Sequence, residues 1–127
     1  MEKPKLTPLK IAVSTEPKQA LTESDRNALE EWVAGIRLRG YDPTFVTHDK
    51  DENLEDLRKF AEVHRVGFQY FAPPIVKGTA LDREKAASPA RLVAISVVQC
   101  IKIGKGGEIA KECAAAELPI WSFKTKQ

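Results

Sequence analysis

At 127 residues the chain has the size of one layered core, and 43% hydrophobic against 30% charged residues is the balance of a globular protein. Twenty Lys plus Arg against eighteen Asp plus Glu leave a net charge of +2, interspersed along the chain, which excludes a basic footprint for nucleic acid. No apolar run approaches the roughly 20 residues of a bilayer span, and the opening Met1-Glu2-Lys3-Pro4-Lys5 lacks the apolar stretch of a signal peptide, so a soluble, cytoplasmic protein with no membrane partner is expected.

The run Lys10 to Ser14 is a short apolar segment that breaks at Glu16-Pro17, which predicts a first strand and a loop. Thr22-x-x-Asp25 has the form of a capping box. Leu29, Trp32, Val33 and Ile36 then repeat at helical spacing, with Arg37 and Arg39 in the last turn and Gly40 as a left-handed stop. Thr44 to Thr47 predicts a second strand, and the polar turn from Asp49 to Asn53 can cap the next helix. In that helix Leu57, Phe60, Ala61 and His64 share a face, so His64 is expected as a partly buried histidine near a helix end. Val66 to Phe71 predicts a third strand, stopped by Pro73-Pro74.

Between Ile75 and Pro89 the pattern weakens to one short helix through Leu81 to Ala87. The run Leu92 to Val98 then reads as a fourth, apolar strand. Ile103-Gly104-Lys105-Gly106-Gly107-Glu108-Ile109-Ala110 follows as a glycine-dense turn opening a helix of small residues, and Leu118 to Phe123 as a fifth strand. A turn of this kind lets backbone amides approach a ligand, and the helix N-terminus favours an anion. Glu108 is the carboxylate at that spot; offsetting the helix dipole is its other ordinary use.

Strands alternating with helices predict an open parallel sheet covered on both faces, in one domain over residues 1–127. Ligands of such sheets sit beyond the carboxyl ends of the strands at the topological switch point. That rim collects residues 14–18, His48, residues 70–74 and residues 99–108. Cys100 and Cys113 are too few for a disulfide framework and have no zinc-site partners. Both are expected as reduced thiols, Cys113 on a helix face and Cys100 near the end of a strand, with no metal and no cofactor.

The segment from Ile103 to Ala110, with Pro119-Ile120-Trp121 one helix later, resembles the nucleoside 2-deoxyribosyltransferase and 2'-deoxynucleoside 5'-phosphate N-hydrolase family. There a loop of the form G-x-G-x-E-[LI]-G/A opens the last helix and its Glu attacks the anomeric carbon; Gly104, Gly106, Glu108, Ile109 and Ala110 match that form. The likeness covers the last third of the chain and is architectural before it. The resemblance implies a Rossmann-like three-layer α/β/α domain with a five-stranded parallel sheet, a small nucleoside or nucleotide partner, and Glu108 as nucleophile. The family's acidic residue ahead of the loop has no counterpart in Val97-Val98-Gln99-Cys100, and Lys102 stands near the position of its serine. Glu16, in the first loop, is the substitute for the missing carboxylate.

Around Glu108 and Glu16 as catalytic candidates, the expected ligand-binding residues are Ser14, Tyr70, Lys102, Gly104, Lys105, Gly106 and Gly107. The glycine amides would hold an anion or hydroxyl, the lysines a phosphate, and Tyr70 with Phe71 would stack on a base or pack in the core. The alternative is a non-catalytic nucleotide-binding or nucleotide-sensing module, in which Glu108 hydrogen-bonds ribose hydroxyls. Family members commonly complete their sites across a subunit interface. Trp32, Trp121 and the helix of Ala110, Ala114, Ala115 and Ala116 offer apolar surface either to a homo-oligomer or to a monomer core.

Overall fold

The computed structural model describes residues 6–16, 18–48, 51–71 and 88–123. In chain order these form β1 (Thr7–Ser14), α1 (Glu23–Leu38), β2 (Tyr41–His48), α2 (Leu54–His64), β3 (Gly67–Phe71), α3 (Pro89–Ser96), β4 (Gln99–Ile103), α4 (Glu108–Ala115) and β5 (Ile120–Phe123). The strands make one sheet in the order β3-β2-β1-β4-β5, with every neighbouring pair parallel. The expected Rossmann-like α/β/α architecture is the one observed. Among the described residues no helix is long and apolar enough to cross a membrane.

The alternation of side chains along the strands separates two cores. On one face Ile11, Val13, Phe45, Ile101 and Ile103 pack against Leu29 and Val33 of α1 and Leu57, Phe60 and Ala61 of α2. On the other, Ala12, Val46 and Cys100 pack against Ala90, Val93 and Ala94 of α3 and Ile109, Ala110 and Cys113 of α4. Successive strands β1, β2 and β3 therefore step outwards under α1 and α2, after which the chain returns across the sheet to place β4 on the free side of β1. Trp32 and Trp121 pack partly buried against the first core, their rings 6.3 Å apart, and Phe45 stacks on Phe60 at 5.9 Å. Of the alanines in and just after α4, Ala110 and not Ala114 to Ala116 is buried.

Helix α1 begins at the expected capping box: the Asp25 amide donates to Thr22 Oγ1 and the Thr22 amide to Asp25 Oδ2, both at 3.0 Å. Helix α2 ends as expected with His64 half-buried, its ring 4.2 Å from that of Phe60. Its start differs from expectation, because Asn53 makes no side-chain cap and uses its amide elsewhere. Strands β1 and β2 are longer than read from sequence. Thr7 to Lys10 pair with β2 alone, and Pro43 fits within β2 because pairing with β3 starts only at Thr44.

The principal correction concerns residues 89–103. The apolar run Leu92 to Val98 was expected as a strand; Pro89–Ser96 is a helix, and β4 is Gln99–Ile103. Ser88 caps that helix by accepting from the Arg91 amide at 3.2 Å, and Pro89 sits in its first turn. Ala90, Val93 and Ala94 then bury one helical stripe, whereas Arg91 and Ile95 are exposed. Cys100 consequently lies inside β4, not near the end of an earlier strand. The expected helix at 81–87 and the Pro73-Pro74 stop lie outside the described residues.

Cys100 and Cys113, both fully buried free thiols, meet between β4 and α4. The turn joining α4 to β5 clasps both: the Cys100 amide donates to Pro119 O and the Leu118 amide to Cys113 O, each at 3.0 Å. The hydrogen bond with Cys113 and burial together push the Cys100 thiol far above its ordinary range.

Candidate functional site

The carboxyl ends of β1 and β4 lie side by side at the switch point of the sheet, where the connections of α/β sheets leave a crevice. From β1 come Ser14, Thr15 and Glu16; from β4 comes the glycine turn. Gly104 and Gly106 both hold left-handed φ, +64° and +66°. A Cβ on Gly104 would run into the Glu16 carboxylate, and one on Gly106 would come within 2.6 Å of Lys102 Cγ and 2.8 Å of Ala110 Cβ. Left-handed φ thus favours glycine at both places, and close approach adds to it at Gly106, whereas at Gly104 the Glu16 carboxylate could swing aside.

The amides of this turn are engaged by the protein itself. Lys105 N–H donates to Glu16 Oε2 at 3.3 Å, Gly106 N–H to Ile103 O at 3.1 Å, and Gly107 N–H to Ser14 Oγ at 2.7 Å. Ser14 Oγ also accepts from Ala110 N–H at 3.3 Å. Gly107 is the N-cap of α4 and has no side chain to offer, so the buried hydroxyl of Ser14 supplies the cap from across the fold. The amides of Glu108 and Ile109 have no protein acceptor among the described residues.

The opposite wall is the turn between β2 and α2. Asp51 Oδ1 accepts from Thr15 Oγ1 at 2.7 Å and from the Asn53 amide at 2.9 Å; Oδ2 lies 3.5 Å from Thr47 Oγ1 and 3.4 Å from the Thr15 amide. Asn53 Nδ2 donates to Thr15 Oγ1 at 3.0 Å and to Gln19 O at 2.9 Å. Glu52 accepts from the Lys18 amide at 2.7 Å. With Thr15, Thr47 and Asn53 buried, this seam fixes the β1–α1 loop against the β2–α2 turn.

Two cavities open between these walls. One, about 230 Å³, is lined by Ser14, Thr15, His48, Asp51, Glu52, Gly107 and Glu108. The other, about 160 Å³, is lined by His48, Ser88, Pro89, Ala90 and Glu108. Together they reach the lower part of the range of about 300–1,000 Å³ usual for small-molecule sites. A larger groove of about 490 Å³ is lined wholly by side chains of α1 and α2 and is not formed by the strand ends.

Of the residues expected from sequence, Glu108, Ser14 and Gly107 line the cavities, Ser14 with its hydroxyl already committed to α4. Gly104 and Gly106 shape the turn behind them, and Glu16 braces it. Lys102, whose stem passes over Gly106, and the exposed Lys105 are not among the described lining residues. Neither is Tyr70, which is 58% exposed on the edge strand β3, while Phe71 packs on the second core. Glu108 is 70% exposed at its side chain and lies 3.6 Å from Lys111 Nζ, a surface pair of little energetic weight. Sequence reasoning placed Thr15 and His48 on the rim without giving either a role, and missed Asp51, Glu52 and the start of α3 from Ser88 to Ala90. The available signal was Asp51-x-Asn53 directly after a strand, one position out from the switch point.

No protein-family model matches the chain, and no curated protein matches it.

Proposed function

We propose that the protein takes a nucleoside or nucleotide into the crevice beside β1 and β4 and cleaves its N-glycosidic bond, with Glu108 as the nucleophile. The observation that carries this reading is the place of Glu108: it opens α4 at the switch point, and it lines both cavities. A breaking C–N bond gathers positive charge on the anomeric carbon and ring oxygen of the sugar. Asp51, Glu52 and Glu108 stand around that space with no Lys or Arg among the described lining residues, a setting that favours such charge. The amides of Glu108 and Ile109 are donors suited to a sugar hydroxyl. Lys102 and Lys105, at the glycine turn, would serve a 5'-phosphate that projects out of the acidic space.

The test is incubation with nucleosides and their 5'-monophosphates, with chromatography for free base. Base release is expected, and Glu108→Gln should lower it on the order of 10³-fold or more while ligand binding persists, because the amide keeps the hydrogen bonds and loses nucleophilicity. Binding without release by the unaltered protein would favour the non-catalytic alternative, in which Glu108 holds ribose hydroxyls.

A further inference from the structure

His48 and Glu108 are the two described residues that line both cavities. They come from different elements, His48 half-buried at the carboxyl end of β2 and Glu108 at the start of α4. The spaces they divide differ in character. The larger is lined, besides Gly107, by four residues with polar side chains, Ser14, Thr15, Asp51 and Glu52. The smaller is walled by Ser88, Pro89 and Ala90, with no charged residue beyond the shared pair. A polyhydroxylated sugar suits the first and a flat heterocycle the second, which puts the bond between them at the His48–Glu108 partition.

Resting on the glycosidase reading above, we infer that His48 is the general acid of the reaction, protonating the departing base while Glu108 attacks the sugar. In the first step a Glu108 carboxylate oxygen bonds to C1', the C1'–N bond breaks with its electron pair going to the base, and the His48 imidazolium gives its proton to a base nitrogen. In the second, neutral His48 takes a proton from the water that attacks C1', and the ester electron pair returns to Glu108. The sum is nucleoside plus water to base plus sugar, with both side chains restored. This supplies the proton donor that the Val97-Val98-Gln99-Cys100 segment lacks. The charged groups facing His48 in the cavities are Asp51 and Glu52 from its own turn and Glu108 from α4; β1 and α3 bring none to the described lining.

The test compares two probes, 2'-deoxyguanosine and 7-methyl-2'-deoxyguanosine, whose base already carries the positive charge that protonation would create. The unaltered protein should release base from both probes. In the first-turnover release of base, which precedes the water step that both probes share, His48→Ala and His48→Gln should each lose about 10²-fold or more on 2'-deoxyguanosine and less than about threefold on the methylated nucleoside, which also reports that the variants are folded. Glu108→Gln should lose activity on both. Full activity of the His48 variants on 2'-deoxyguanosine, or equal loss on both probes in both variants, overturns the assignment of His48 alone. Absence of base release from either probe by the unaltered protein overturns the glycosidase reading, and the role of His48 with it.

Discussion

At the scale of single residues, Ser14 is the side chain whose role is most altered by the fold. Expected as a ligand contact, it is a cap that reaches α4 from β1, holding the Gly107 and Ala110 amides at 2.7 and 3.3 Å. Ser14→Ala should cost about 1–2 kcal/mol, since it leaves amides at a buried helix start without their acceptor, and urea unfolding would measure it as a lower midpoint at unchanged slope. Gly106→Val should cost more, about 2–4 kcal/mol, from left-handed strain in a β-branched residue added to the approach of Lys102 and Ala110. A melting temperature equal to that of the unaltered protein would contradict the geometry of the turn. Glu108, the glycines and the Thr22–Asp25 box were legible in the sequence because each depends on neighbours within a few positions. The cap made by Ser14 and the bond from Thr15 to Asp51 were not, because those partners are tens of residues away, and a polar side chain before a break in a pattern says nothing of what it will meet.

At the scale of elements, α3 shows how apolar runs mislead. Leu92 to Val98 is rich in strand-forming residues, yet Ser88-Pro89 starts a helix and the burial of Ala90, Val93 and Ala94 keeps it one. Packing across the sheet decided between two local preferences of similar strength. The same packing brings Cys113 of α4 onto Cys100 of β4, a meeting that thirteen residues of separation did not announce. With both thiols fully buried and that of Cys100 held strongly protonated, neither should react with an aromatic disulfide reagent in the native protein at pH 8. Both should react at once in denaturant. Rapid native labelling of either, followed by absorbance, would mean that the β4–α4 packing opens readily.

At the scale of the whole molecule, alternation of strands and helices was enough to predict the parallel sheet, which the β3-β2-β1-β4-β5 order bears out, and the rule for switch points directed attention to the strand ends where the proposed crevice lies. Which residues face the crevice needed the register, which periodicity does not carry. The bond from Ser14 to Gly107 spans 93 positions of the chain, and this separation has a kinetic meaning. Closing so long a loop is costly in entropy before the sheet on either side of it exists, so the start of α4 should be organised late, after β1 has found both of its neighbours. Ser14→Ala should then leave the refolding rate nearly unchanged and express its destabilisation as faster unfolding, a partition that stopped-flow chevrons would read directly. On the ribosome the same order would keep the crevice unformed until β4 and α4 have emerged, so that synthesis yields the crevice only with the fold that encloses it.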